Sequence, residues 1–421
     1  MTTRRIIVAG GGTGGHLFPG IAVVEELRRR LDVDVLFVGT ERGLEARLLP
    51  DRGEAFEALE VTPLKGRRGG ELLRSLGRLP RAMGHALRVV RGHRAELVLG
   101  VGGYASGPIL AAAAAVGLPT ALLEQNAHLG LTNRMLAPVV GRAYLTYEQT
   151  APRFGSRARV LGNPVRSSFA QAARRAAVDP VGFEARAKTL LVMGGSQGAK
   201  ALNETVPQAL GAVDRRGLKV VHQTGAAMRD AVEARYHELG VEAEVVSFIE
   251  DMAAAYAAAA IVIARAGATT LAELQAIGRP SILVPYPFAA DDHQRKNAEA
   301  LARDGAALCI PQDELSVHGL ASTLDELLGD PNRRRAMAEA ARRRGRPDAA
   351  ASIVDDLCEW LRWPEKKQPV PPSPGGGEEE REEPREAAGL RGRVYYAPRF
   401  GMAPRMRERR PLVFEAGCAW D

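Results

Sequence analysis

Glycines, hydroxyl residues and one histidine gather in stretches whose spacing suits anion chemistry. "GGGTGGHLFPG" at residues 10–20 follows the apolar run "RRIIVA", and "RAGATTLAE" at 265–273 follows "AIVI". In each, a buried strand is expected to run through a turn into a helix whose unpaired N–H groups face a phosphate. Glycines there let the backbone come close to a ligand. "GVGGYASGP" (100–108) and "MGGSQGAK" (193–200) repeat the strand–glycine design. Gln294 and Asn297, in "DDHQRKNA" (291–298), are three apart and share a helix face, where two amides can read hydroxyl groups.

Two other chemistries fail on spacing. Gly10, Gly12 and Gly15 fit the dinucleotide fingerprint, which needs an acidic residue about twenty positions on, at the end of the second strand. That strand, "DVLFVGT", ends near Thr40, and Glu41 comes too late, while His16 and Pro19 interrupt the place where a dinucleotide helix would begin. "DVD" (32–34) imitates a D-x-D metal motif but lies where a strand starts, at the wrong end of a sheet.

The elements that must carry these loops are legible as apolar runs. "RIIVAG", "DVLFVGT", "ELVLGVGG", "TALLEQN" and "RAYLTY" alternate with helical stretches up to about residue 147. Their apolarity is continuous, which marks strands covered on both faces, hence a parallel sheet wound with helices. The pattern restarts at "KTLLVMGGSQGAK" and continues through "KVVHQTG", "EVVSFIED", "AIVIARAGATT" and "PSILVPYP". Two doubly wound α/β domains are expected, over 1–166 and 167–362, joined near "LGNPVR" (161–166), with their strand-end loops facing a cleft. The first helix is expected to begin near Gly20. Residues 363–421 read as a Pro-, Gly- and Glu-rich disordered linker and a basic extension outside the fold.

Composition narrows the function classes. The chain has 421 residues, room for two or three domains, with 46% hydrophobic and 25% charged residues, as in an ordinary globular protein. Its net charge of +7 favours phosphates or acidic lipid as partners. Aromatics are few and no nucleic-acid module is present, so nucleic acid is not an expected partner. Cys309, Cys358 and Cys418 are scattered and form no C-x-x-C, which fits a reducing cytosol and neither a zinc site nor a disulfide framework. No run reaches the ~20 apolar residues that span a bilayer, and the chain enters a strand at once, so no signal peptide is expected. Leu72, Leu73, Leu76 and Leu79 recur at helical spacing within residues 64–94, with Arg74, Arg78 and Arg81 on another face. That is a basic amphipathic stretch suited to anionic lipid.

In this order, "GGGTGGHLFPG", "GVGGYASGP", "EQNAHLGLTNR", "LGNPVR", "MGGSQGAK", "FIEDM", "RAGATTLAE" and "DDHQRKNA" resemble the MurG family of peptidoglycan N-acetylglucosaminyltransferases, from about residue 4 to 360. The resemblance implies a GT-B fold: two Rossmann-like, doubly wound parallel-sheet domains facing a cleft. It implies inverting, metal-independent transfer of N-acetylglucosamine from UDP-N-acetylglucosamine to the 4-hydroxyl of lipid I, the undecaprenyl-pyrophosphate-linked muramyl-pentapeptide, giving lipid II. No cofactor is implied. The setting implied is the cytoplasmic face of the cell membrane, held peripherally, with a cell-wall and division complex as partner.

The resemblance also assigns residues. Thr13, Gly14 and Gly15 approach the donor, while Gly102, Gly103 and Tyr104 face the lipid-linked phosphate. Asn126 contacts substrate and Arg166 the donor. Ser196 touches the donor's phosphate side, and Ile249 offers its backbone to the uracil. Ala268, Thr269, Thr270, Leu271 and Ala272 surround the diphosphate, Glu273 accepts the ribose hydroxyls, and Gln294 and Asn297 read the sugar. Deprotonating the acceptor hydroxyl calls for a base whose pKa lies near working pH, and the imidazole of His16 suits that task. A capping or positioning role for His16 stays open, with Glu124 and Asp251 as further candidate bases. The same architecture serves other nucleotide-sugar transferases and UDP-sugar 2-epimerases. A sugar-nucleotide-binding scaffold would keep the glycine loops and lose His16.

Overall fold

The structure is a computed structural model that describes residues 3–61, 70–195, 198–215, 217–289 and 292–366; of residues 70–79 it describes the helical backbone alone. Ser196 and the side chains of Leu72, Leu73, Arg74, Leu76, Arg78 and Leu79 therefore lie outside the described residues, as does the chain from residue 367.

The first sheet contains β1 (Arg4–Gly10), β2 (Val33–Gly39), β3 (Ala55–Ala58), β4 (Leu97–Gly102), β5 (Thr120–Glu124), β6 (Arg142–Leu145) and β7 (Ala158–Val160). Their order is β3-β2-β1-β4-β5-β6-β7 and every pairing is parallel. The second contains β8 (Thr189–Met193), β9 (Lys219–Gln223), β10 (Ala243–Val246), β11 (Ala259–Ala264), β12 (Ser281–Leu283) and β13 (Leu308–Cys309), ordered β10-β9-β8-β11-β12-β13 and again parallel. Both belong to the expected GT-B class. Each sheet has an apolar core on both faces. Ile6 and Val8 pack with Leu27 and Leu99 on one side, Ile7 and Ala9 with Ile109 and Leu122 on the other. That two-sided burial is why the runs read as continuously apolar.

Strand order reverses between β1 and β4 and between β8 and β11, and ligands of wound sheets bind at such switch points, beyond the strands' carboxyl ends. "GGGTGGH" leaves β1, "GGYAS" leaves β4, and "RAGATT" leaves β11. Topology alone therefore brings three of the singled-out loops to the places where a ligand belongs.

Two expectations change. The first helix spans Gly14–Arg30, so it begins well before Gly20 and runs through both His16 and Pro19. A proline early in a helix removes one backbone donor, here the one owed to the Gly15 carbonyl, and that carbonyl finds another partner described below. The last helix, Ala349–Leu361, does not stay with the second sheet. Ile353, Val354 and Leu357 join the core of the first, and Asp356 accepts from Tyr144, Arg142 and Arg159. Trp363 is buried in that same core, and Arg30 pairs with Glu365 at 2.5 Å, so residues 363–366 belong to the fold rather than to a linker.

Candidate functional site

The loops after β1 and β4 lie against each other. Gly11 N–H donates to the Gly102 carbonyl at 3.1 Å, and a side chain on Gly10 would strike that same carbonyl. Glu45, fully buried, organises the loop from below: its carboxylate accepts from Gly12 N–H at 2.7 Å, Thr40 N–H at 2.8 Å and the Thr40 hydroxyl at 2.9 Å. Sequence reasoning passed over Glu45. Its signal was an acid two residues past Gly43 and six past Gly39, positions where any side chain would run into its carboxylate.

This scaffold presents the start of the helix Gly14–Arg30, whose cap Thr13 has an exposed side chain that makes no capping bond. His16 lies in its first turn, half-buried, with Nδ1 3.3 Å from Gln125 Oε1. Burial holds its pKa below the ordinary 6.5, with Glu124, the Gln125 amide and the Val101 backbone carbonyl pulling upward and His293 downward. The imidazole is thus neutral at pH 7 and able to accept a proton. His293 opens the helix His293–Arg303 of the second sheet's domain, so the two halves of the chain meet at this ring.

Opposite stands the helix Ala268–Ile277, capped by Gly267 without a side-chain bond. Leu271 N–H is the one that returns to the Gly267 carbonyl, so the N–H groups of Ala268, Thr269 and Thr270 have no acceptor within the helix. The Thr269 hydroxyl donates at 3.1 Å to the Gly15 carbonyl, the very acceptor that Pro19 leaves open. Two helix N-termini, one from each sheet, are therefore tied together around one space. Their partial charges add where an anion would sit.

Other expected contacts distribute unevenly. Glu273 is buried, and Arg166 donates to its Oε1 at 3.0 Å. Burial pushes the Glu273 carboxyl up to about 7 against the pull of that guanidinium. Arg166 also lies over the rings of Phe18 and Phe169, so it fastens the interdomain segment to both the first helix and the helix Ala268–Ile277, and a ligand hydroxyl would have to share Glu273 with it. Gln294 accepts from Tyr286 N–H at 3.0 Å, which leaves its amide N–H₂ for a ligand. Asn297 is 1% exposed, and neither its Oδ1 nor its Nδ2 has a partner in the protein. Such a group calls for a bound polar molecule. Ile249 packs half-buried against the core of the second sheet, and Tyr104 is exposed at the mouth of the second glycine loop.

Four candidates take other roles. Leu271 is a core residue whose N–H is already spent, so it has nothing to offer a donor, and Ala272 lies behind it in the helix. Glu124 accepts from Asn126 N–H at 3.1 Å, Gly130 N–H at 3.1 Å and Asn133 Nδ2 at 2.9 Å, which makes it the brace of the Asn126 loop rather than a base. Asp251 caps the helix Met252–Ala258 through Ala254 N–H at 3.0 Å. Asp32 of "DVD" sits at the amino end of β2, bonded to Thr3, away from the loops.

Known proteins share this build. Residues 6–145 match the glycosyltransferase family 28 N-terminal domain and residues 189–353 its C-terminal domain. The chain is 46% identical to the UDP-N-acetylglucosamine–N-acetylmuramyl-(pentapeptide) pyrophosphoryl-undecaprenol N-acetylglucosamine transferase of Sorangium cellulosum, across 88% of this chain and 92% of that one. Identity to the enzyme of that name from Myxococcus xanthus is 43%, over 83% and 91%. Among solved structures, Acinetobacter baumannii MurG aligns with a TM-score of 0.66 at 31% identity, over 85% of this chain and 99% of that chain. A UDP-GlcNAc 2-epimerase from Neisseria meningitidis shares the fold, with a TM-score of 0.59 at 13% identity over 85% and 100%.

Proposed function

We infer that the chain, which belongs to the MurG family within glycosyltransferase family 28, transfers N-acetylglucosamine from UDP-N-acetylglucosamine to the 4-hydroxyl of lipid I and so makes lipid II. The observation that carries this is the pair of helix N-termini joined by the Thr269–Gly15 hydrogen bond, with a neutral imidazole at their junction. A diphosphate at the N-terminus of Ala268–Ile277 has Ala268, Thr269 and Thr270 N–H groups for its oxygens. The unpartnered Asn297 and the free amide of Gln294 suit the sugar hydroxyls.

In the reaction, His16 removes the proton of the acceptor hydroxyl as its oxygen bonds to the sugar's anomeric carbon. The bond from that carbon to phosphate breaks on the opposite face, its electron pair leaves with UDP, and the configuration inverts. Backbone N–H groups aimed at the departing diphosphate stabilise the charge as it develops. Dipoles thereby do what a cation does elsewhere, so UDP release is expected to continue in excess EDTA and to require both substrates. Loss of activity in EDTA that Mg²⁺ restores contradicts this.

The acceptor's lipid implies work at the cytoplasmic membrane surface, within the machinery of wall synthesis, cell shape and division. No described helix is long and apolar enough to cross a membrane. A peripheral hold is supported by the basic amphipathic pattern of the helix Gly70–His93 and by the exposed Met135 and Val139 beside Arg134. Replacing Arg74, Arg78 and Arg81 with Glu is expected to weaken binding to anionic vesicles by ~1 kcal/mol per basic charge removed. Turnover of a water-soluble acceptor should survive. Unchanged vesicle binding assigns the hold elsewhere.

A further inference from the structure

Gln125 follows β5 and is 2% exposed, wedged between the end of β4 and the first helix. Its side chain is fixed at both ends. Nε2 donates to the Val101 carbonyl at 3.0 Å, and Oε1 lies 3.3 Å from His16 Nδ1. A backbone carbonyl can only accept, so the amide must turn its N–H₂ toward Val101 and its oxygen toward the imidazole. The reversed amide would set two oxygens face to face in a buried place, where neither has a donor to share. An oxygen facing Nδ1 in turn requires the ring's single proton to be on Nδ1. The Val101 carbonyl thus acts on His16 both directly and through the Gln125 amide it orients, and the Gln125 oxygen at Nδ1 leaves the lone pair on Nε2.

We propose that Gln125 is a positioning residue that fixes His16 in its Nδ1–H tautomer and so makes Nε2 the atom that accepts the proton of the acceptor hydroxyl. The proposal rests on the reading of His16 as base. It also explains why a neutral amide stands where a carboxylate would serve as well for orientation. A carboxylate at this distance would favour the imidazolium and raise its pKa, whereas the amide orients the ring without adding charge. The titratable groups that face the ring are otherwise Glu124, already committed to the Asn126 loop, and His293 from the second domain.

Three variants separate this role from mere packing. Gln125→Met keeps the bulk and removes the acceptor. It is expected to lower kcat roughly 10–100-fold, the scale of losing the partner on a working imidazole's far nitrogen, with equilibrium donor binding unchanged. Gln125→Glu keeps an oxygen opposite Nδ1. It is expected to recover most of that rate and to move the acidic limb of the pH–rate profile upward. In a His16→Ala background neither change should alter the residual rate, since both act through the imidazole. The proposal is overturned if Gln125→Met has the wild-type rate and profile, if the Met and Glu variants lose rate and donor affinity together, or if their losses persist without His16. A His16→Ala enzyme with the wild-type rate removes the base assignment itself. A slow His16→Ala beside an unimpaired Gln125→Met removes the tautomer role alone.

Discussion

His16→Ala is expected to lower kcat ~10²–10⁴-fold, the range for loss of a positioned general base, while donor binding at equilibrium stays close to wild type. The asymmetry follows from when the interaction is made. A base acts on the proton only as the acceptor oxygen attacks, whereas the diphosphate is held by backbone N–H groups that the substitution leaves in place. The pH dependence carries a sign as well. Burial keeps the His16 pKa below 6.5, so the active neutral form predominates at pH 7 and is lost as pH falls through that lowered value. The wild-type profile should therefore show an acidic limb below 6.5, and His16→Ala should lack it. Donor affinity that falls in step with kcat would make His16 a support for the loop, and a surviving acidic limb would assign the proton to another group.

Gly102→Ala is the second large effect, and it acts on the base by displacing it rather than by replacing it. Gly102 has φ +97°, a conformation that costs an alanine roughly 1–2 kcal/mol. Its missing Cβ would lie 2.5 Å from His16 Nδ1 and 2.8 Å from Cε1, so the ring must shift from its place beside Gln125. A displacement of about 1 Å at a reacting group costs on the order of 10²-fold in rate. Gly117→Ala is the matching control. Gly117 also has positive φ, at +76°, but a Cβ there meets nothing within 4 Å and the site is remote. Both variants should show lowered melting temperatures, and only Gly102→Ala should lose kcat. Equal activity in the two variants would mean that the ring tolerates the shift.

Much of the scaffold was legible because both sheets are buried on both faces, which writes Ile6–Ala9 or Ala259–Ala264 as unbroken apolar runs. The short strands β3, β7 and β13 carry no such run; "AFEA", "ARV" and "LC" are half-buried at sheet edges and are not among the strands the apolar runs predict. The start of the first helix was misjudged because Pro19 looks like a boundary, and only the second domain's Thr269 reveals how the unpaired carbonyl is satisfied. The crossing of Ala349–Leu361 was hidden for a similar reason: an amphipathic stripe states that a core will be covered, not which one. In the site, the anion loops were readable from glycine and hydroxyl spacing. Glu45, Gln125 and His293 were not, since each acts through partners far away in sequence: Gly12, Val101 and His16.

The most direct test of the assigned reaction is incubation of the purified protein with labelled UDP-N-acetylglucosamine and a lipid I analogue, with UDP-glucose as the alternative donor. The expected result is label in the lipid-linked product, one UDP released for each sugar transferred, and little transfer from UDP-glucose. Label that stays water-soluble as a rearranged sugar, or equal transfer from the two donors, would contradict it.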